Sequence, residues 1–504
     1  MLLIFPPVAK PCEPPAGIAK LSSALAAHGI ACTALDLNLE GLLFLLQHPH
    51  TASDTWSRRA VRNVSKNIAS LRDPTTYHSL DRYSRAVTDM NKVLSLAGRT
   101  LGWSVGLTDI QHEHRSPLRS ADLLAAAEHP EQDPFYPYFR TRLLEAVEQQ
   151  GRAMVGFSLN YLNQALCSFA MIGLLRKEFP GVKIVLGGGL VSSWMKRPGW
   201  RDPFGGLVDH LIAGPGEGPL LDLLGTGDAQ ARRFAPDYSG LPLSEYLSPG
   251  TILPYSASSG CFWNKCSFCP EPAEGNLYIP VPPREAAADL RRLVREMKPS
   301  LIHLLDNSIS PALMAALADD PAGAPWYGFA RIGKELLDIE FCRSLERSGC
   351  RMLKLGLESG DQGVLDRMEK GIDLAEASIA LRNLRNAGIA AYVYLLFGSP
   401  SEAEAEARRT LEFTAGHADA ISFLNLALFN MPVGAREAER YGTEPFYEGD
   451  LPLYTGFRHP RGWDRKAVRR FLDGEFRRHP AIASILRNDP PYFTSNHAAF
   501  FARP

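Results

Sequence analysis

Apolar and polar positions follow two periods along this chain, and the changes between them mark its elements. LLIFPP (residues 2–7) is a short apolar run stopped by two prolines, the mark of a buried strand entering a loop. Residues Ile18 to His28 carry a helical period that ends at Gly29, and IACTALDLN then predicts a second strand finishing at Asp36 and Asn38. From Gly41 to about Gln150 the pattern is polar and helical, which predicts an insertion. The alternation resumes with AMVGFSLN as a strand, a helix through Arg176, KIVLGGG as a strand, and VDHLIAGPGEG as a last strand before a helix at Leu220. Residues 1–233 therefore predict a doubly wound, Rossmann-like α/β domain with a helical insertion at about 41–150.

A linker rich in Pro, Gly and Ser over 234–254 leads into a second βα series. Its strands are ILPYSAS, LIHLLD, WYGFARI, MLKLGLES, AAYVYLLFG and ISFLNLALF, spaced by amphipathic helices such as Pro283 to Glu296 and Ala375 to Ala387. Six βα units predict a partial (β/α)6 barrel over 255–431. Residues 432–504 are richer in aromatics, Pro and Arg, with one clear helix around Lys466 to Arg477, and predict a mostly helical or irregular carboxyl-terminal extension.

Composition narrows the function classes. A chain of 504 residues with 45% hydrophobic and 22% charged residues is an ordinary globular protein of about three domains. A net charge of -1 supplies no field for gripping phosphate backbones, and no local basic patch replaces it, so nucleic acid is not an expected partner. The longest apolar runs, such as that around Leu42 to Leu46, fall far below the ~18 residues of a membrane span. Met1 to Phe5 lacks a basic n-region. The expected location is the cytoplasm, with no membrane attachment.

Eight cysteines in such a chain are reduced thiols or metal ligands rather than a disulfide framework. Cys12, Cys32, Cys167, Cys342 and Cys350 are scattered, whereas Cys261, Cys266 and Cys269 share the stretch CFWNKCSFC just after a predicted strand. A loop can wrap three thiolates around one metal centre; a strand or helix cannot point all three the same way. Closed structural zinc takes four ligands, and the nearest further donor, His303, lies a strand away. Three cysteines instead suit an iron–sulfur cluster with one iron left open, since electron-transfer clusters take four.

On these residues the chain resembles the radical S-adenosylmethionine (SAM) superfamily, in which three cysteines hold a [4Fe-4S] cluster and the fourth iron chelates the amino and carboxylate groups of SAM. The family spacing is C-x3-C-x2-C, whereas here four residues separate Cys261 from Cys266; Phe268 matches the aromatic that precedes the last cysteine. LGLESGDQGVLDRMEKG resembles the family's ribose and methionine contact segment, which implies that Glu358 and Ser359 contact SAM. The resemblance also implies that Asp306 and Asn307 lie near the methionyl amine, that Arg331 pairs with the methionyl carboxylate, and that Gly398 in FGSPSE lets backbone approach the adenine.

The amino-terminal segments resemble, in order, the cobalamin-binding domain that precedes the radical domain in one branch of the superfamily. The resemblance implies polar contacts to the corrin side chains from Ser158, Asn160 and Gln164. It also implies a close approach of the ligand at Gly187, Gly188, Gly189, Gly214 and Glu217. Many cobalamin domains ligate cobalt through D-x-H-x-x-G. Here Asp36 to Gly41 reads DLNLEG, so cobalt without a protein histidine ligand is implied, with Asn38 expected as a helix cap. Methylthiotransferases, which carry three further clustered cysteines, fit poorly because Cys12, Cys32 and Cys167 do not cluster.

The implied activity is that of a cobalamin-dependent methyltransferase acting on an unactivated carbon of a small molecule or natural product, supplied with electrons by a flavodoxin or ferredoxin. Cyclisation, rearrangement or oxidation with the same cofactors is the alternative, and a non-catalytic cobalamin or redox sensor a third. Substrate is expected between the two α/β domains, near Tyr278, His497 and Phe500.

Overall fold

In the computed structural model, which describes residues 1–48, 50–151, 154–226, 233–490 and 500, the apolar runs of both halves become parallel strands. The chain divides into two compact units. One comprises Met1–Thr251 together with Tyr447–Leu453; the other comprises Ile252–Phe446 and Tyr454–Pro490.

The first unit is built on β1 (Leu2–Phe5), α1 (Ala16–Ala27), β2 (Thr33–Asp36), α2 (Leu37–Gln47), β3 (Met154–Ser158), α3 (Leu162–Glu178), β4 (Lys183–Gly187), α4 (Gly189–Met195), β5 (His210–Leu211) and α5 (Glu217–Leu223). The strands pair in the order β2-β1-β3-β4-β5, all parallel. That is a doubly wound sheet whose direction of winding reverses between β1 and β3, where such sheets open their ligand crevice at the carboxyl ends of the strands.

Helix α3 explains itself from its sequence. Every residue from Gln164 to Leu175 is buried, so the helix is apolar on all sides rather than on one stripe. The insertion covers its second side: helix Ser120–Glu128 approaches so closely at Gly173 that any side chain there would overlap the Ala127 backbone. The segment between α2 and β3 is largely helical and also holds an antiparallel hairpin, Trp103–Val105 with Ile110–His112. Trp103 and Val105 are buried while Ser104 is exposed, a strand pattern too short to stand out in sequence.

The second unit contains β6 (Ile252–Tyr255), α6 (Pro283–Met297), β7 (Leu301–Ile309), α7 (Pro311–Asp319), β8 (Trp326–Ala330), α8 (Ile339–Arg347), β9 (Cys350–Glu358), α9 (Leu374–Ala387), β10 (Ala390–Phe397), α10 (Glu404–Gly416) and β11 (Phe423–Leu428). The six strands pair in chain order and all in parallel, the sheet of a partial (β/α)6 barrel. Ile252, Leu301, Tyr327, Met352, Tyr392 and Phe423, one from each strand, pack into a single buried cluster. Parallel pairing and helical cover make the strands near-continuously apolar, which is why they could be read from sequence. The carboxyl-terminal region adds a small antiparallel sheet of Met431–Pro432, Thr443–Glu444 and Tyr454–Phe457 to its helices Arg465–Phe471 and Pro480–Leu486. Among the described residues no helix is long and apolar enough to cross a membrane.

Candidate active site

The three clustered cysteines lie in the loop that leaves β6, at the carboxyl ends of the barrel strands. Ser258–Ser259 pairs antiparallel with Ile279–Pro280 and closes the neck of the loop. The buried Asp306 carboxylate braces that neck, accepting from the Ala257 N–H at 3.0 Å and the Ser258 hydroxyl at 2.5 Å. Burial pushes the Asp306 carboxyl up, while these hydrogen bonds pull it back. A register shift in β7 between Leu304 and Ile309 re-aims the strand at this point. Gly260, at φ 70°, passes so close to the Leu277 carbonyl that no side chain fits.

All three thiols are free and half-buried. Burial pushes the Cys269 thiol up to about 12 and raises that of Cys266, and in both cases negative charge on neighbouring cysteines adds to the shift. Among the described residues no three His, Cys, Asp or Glu side chains converge as they would on a single metal ion. A four-iron cluster can give each of three thiolates its own iron, whereas closed structural zinc takes four ligands, so three thiols in one loop fit the cluster.

The loop is held down by residues 368–371. The Ser267 N–H donates to the Met368 carbonyl at 3.0 Å, and the Trp263 indole N–H donates to the Glu369 carbonyl at 3.0 Å. Arg331, from the end of β8, donates to the carbonyls of Lys370 and of Gly371, the latter at 2.7 Å. Phe268 packs against the buried cluster of Phe429, Met431 and Ala435 and anchors the far end of the loop.

Glu358 closes β9 in a left-handed conformation, φ 69°, at a cost on the order of 1 kcal/mol. Its carboxylate pairs with the Lys370 ammonium at 2.9 Å, with the two side chains only 12% and 11% exposed. The pair occupies the space that a side chain at Gly356 would fill: a Cβ there would lie 2.6 Å from Glu358 Oε1 and 2.9 Å from Lys370 Nζ. Ser359 is fully buried, its Oγ 3.2 Å from Thr410 Oγ1 and accepting from the Asp361 N–H. Gly398, at φ 81°, donates its N–H to buried Glu402 at 2.6 Å. Tyr278 sets its ring edge-on to Phe262 of the cysteine loop. Phe500 is half-buried, and His497 lies outside the described residues.

The structure therefore brings Arg331, Glu358 and Asp306 to the cysteine loop, each bonded to other protein groups there, whereas Ser359 bonds to Thr410. Sequence reasoning missed Trp263, Gly356, Lys370 and Gly371. Lys370 and Gly371 lie inside the MEKG stretch already singled out, so the extent of that segment was the available signal.

The strand ends of the first unit are built differently. Asn160 donates to Ser158 Oγ at 3.0 Å and accepts from the Gly189 N–H at 3.0 Å. Buried Gln164 accepts from the N–H of Asn160 at 2.9 Å and donates to the Pro6 carbonyl at 2.7 Å, tying the ends of β1 and β3 together. Gly188, at φ 107°, would place a Cβ 2.5 Å from the Leu159 carbonyl oxygen. The Gly187 carbonyl accepts from the Leu159 N–H at 2.7 Å. Gly214 borders open space, and Glu217 pairs with Lys20 at 2.5 Å. Asp36, not Asn38, caps α2, accepting from the Leu39 N–H; Asn38 lies inside the helix and accepts from the Ala9 N–H at 2.8 Å. Asn38 thereby holds the loop after β1. Burial raises the Asp36 carboxyl to about 6.

A six-stranded parallel sheet with a three-thiol loop at its strand ends defines a radical SAM domain, and residues 255–414 match the Radical SAM superfamily model. That match lies within the barrel, about a third of the chain. The fold is similar to that of the cobalamin-dependent S-adenosylmethionine radical enzyme OxsB with aqua-cobalamin bound, at 12% identity and a TM-score of 0.57, covering 94% of this chain and 67% of that one. It is similar as well to that of the radical SAM methyltransferase TsrM from Kitasatospora setae with cobalamin and a [4Fe-4S] cluster bound, at 14% identity and a TM-score of 0.52, covering 92% of this chain and 84% of that one. The chain spans about two thirds of the length of OxsB. No curated protein matches it in sequence.

Proposed function

We propose that the chain is a cobalamin-dependent radical SAM methyltransferase that acts on an unactivated carbon of a small molecule. The observation that carries this reading is the half-buried three-thiol loop clamped beside Arg331 and the Glu358–Lys370 pair, in one chain with a glycine-edged doubly wound sheet. Cys261, Cys266 and Cys269 would hold a [4Fe-4S] cluster that supplies one electron for cleaving SAM to methionine and a 5'-deoxyadenosyl radical, and cobalamin would carry the methyl group. Arg331 offers a cation to the methionyl carboxylate, and Glu358 offers acceptors to a hydroxyl or ammonium group. Gly398 presents backbone to the adenine. Asp306 and Ser359 keep the shape of this site through their internal hydrogen bonds.

In the first unit, a large flat ligand would lie against backbone at the strand ends, where Gly187, Gly188 and Gly189 let neighbouring loops pack closely and Gly214 borders open space. Ser158 and Asn160 lie at the same edge, and Gln164 and Glu217 support it. Cobalt would take no histidine from the DLNLEG stretch, which has none. The electron donor would be a flavodoxin or ferredoxin, and free thiols suit the reducing cytoplasm.

The same residues serve a cobalamin-dependent rearrangement or oxidation without methyl transfer, the second reading. An oxygen-free preparation incubated with methyl-labelled SAM, dithionite and a pool of candidate acceptors separates the two. Deoxyadenosine together with label in an acceptor is the expected result. Deoxyadenosine without transferred label favours rearrangement, and no SAM cleavage at all removes both readings.

A further inference from the structure

We propose that Trp263 is a positioning residue: it fixes the Arg331 cation beside the cysteine loop and thereby raises the reduction potential of the cluster held there. The inference rests on the cluster reading above and gives a purpose to the unusual spacing of the first two cysteines.

Four residues, Phe262 to Lys265, separate Cys261 from Cys266. Asn264 holds φ 44°, a left-handed conformation that Asn tolerates better than most residues, so the chain turns sharply at the surplus position. The turn presents the Trp263 ring to the Arg331 guanidinium, whose centre stands 3.7 Å from the ring centroid. The indole N–H is bonded to the Glu369 carbonyl, and at Gly371, φ 63°, any side chain would overlap the Trp263 ring. The ring therefore sits in a slot built for it.

Arg331 is held from two directions, by the ring on its face and by the Lys370 and Gly371 carbonyls on its edge. An arginine constrained in this way loses the freedom to swing its charge into water. The ring that carries the guanidinium belongs to the cysteine loop itself, between Cys261 and Cys266, so the cation is fixed against the loop that would hold the cluster. Half-burial lowers the local dielectric and strengthens the attraction between the cation and negative charge held there. When a low-potential one-electron donor reduces the cluster, the centre gains one negative charge while the four irons and their thiolate ligands stay in place. A fixed cation nearby stabilises the reduced form more than the oxidised one, so the potential rises.

The test is potentiometric titration of the full-length chain, reconstituted without oxygen and without SAM, followed by the electron paramagnetic resonance signal of the reduced cluster. Trp263→Leu is expected to lower the ratio of reduced to oxidised cluster at a fixed potential by about tenfold, a shift of about 59 mV for one electron. Arg331→Met should move it at least as far, and Trp263→Phe, which keeps a stacking face, should stay nearer the wild type. Wild-type potentials in both Trp263→Leu and Arg331→Met would overturn the proposal while leaving the cluster reading intact. Where Trp263→Leu does not retain four irons, Arg331→Met alone decides: an unmoved potential overturns the inference and a lowered one supports it. A wild-type chain that binds no iron overturns both readings.

Discussion

The two sets of strand ends in this chain are made of opposite materials. At the barrel, charged and ring-bearing side chains do the holding: Arg331 on Trp263, Lys370 on Glu358, Asp306 on the neck of the cysteine loop. At the doubly wound sheet the edge is backbone and glycine, with Asn160 and Gln164 stitching one loop to the next. A metal centre demands donor atoms at fixed positions. A large planar ligand demands the absence of side chains over a wide area.

The largest test of this contrast replaces Cys261, Cys266 and Cys269 with Ala. Cluster absorbance and SAM cleavage should vanish, while corrinoid binding, read from its visible bands, persists. Joint loss of both cofactors would show that the two faces are not independent.

Lys370→Met should come next in size. It leaves the Glu358 carboxylate 12% exposed and without its ammonium partner. Breaking a fully buried pair costs about 3–5 kcal/mol, and partial solvent access reduces this to about 2–3 kcal/mol of unfolding free energy. Chemical denaturation of Lys370→Met against the double variant Lys370→Met/Glu358→Gln checks the cause. If the second change restores no stability, an uncompensated carboxylate is not the reason.

Gly188→Ala probes the other face. The added methyl meets the Leu159 carbonyl, and the residue must hold φ 107°. Strain and displacement of that loop on the order of 1–2 kcal/mol would weaken cobalamin binding by about tenfold. Iron content should not change. Equal affinity in the variant, measured by equilibrium dialysis, would remove Gly188 from the ligand edge.

The same contrast explains what was legible in the sequence. The six barrel strands were readable because each is a mostly apolar run, and the cysteine trio because three thiols within nine residues have few other uses. The clamp at 368–371 was not. It works through the carbonyls of Met368, Glu369, Lys370 and Gly371, and every residue has a carbonyl, so nothing in the sequence distinguishes those four until the chain is folded. Trp263 is similarly silent, since a tryptophan in a polar loop names no partner. Asn38 and Asp36 are both good caps, and only the folded loop after β1, which requires an acceptor for the Ala9 N–H, assigns one to each task. The short insertion hairpin, three residues per strand, falls below any periodic signal.

The smallest effect concerns Gly398, where the side-chain-built face depends on a titrating group. Glu402 is fully buried behind the end of β10, with Oε2 accepting from the Gly398 N–H and, at 2.9 Å, from the Trp463 indole. Its Oε1 has no hydrogen-bond partner among the described residues. Burial raises the carboxyl from 4.5 to about 7, against the pull of those two donors. A raised folded value means that the folded state binds the proton more tightly than the unfolded one. The stabilisation is therefore complete below 4.5 and is lost as pH rises toward about 7. Between about pH 6 and 8 the remaining loss is about 1 kcal/mol. Glu402→Gln keeps both acceptor contacts on its carbonyl oxygen and removes the titration. Urea midpoints of the wild type should fall relative to Glu402→Gln as pH is raised through this range, whereas the carboxyls of Asp36 and Asp133, each raised to about 6 by burial, act equally in both proteins. Parallel curves would show that the Gly398 turn is held by geometry alone, which would make this strand end resemble those of the amino-terminal sheet.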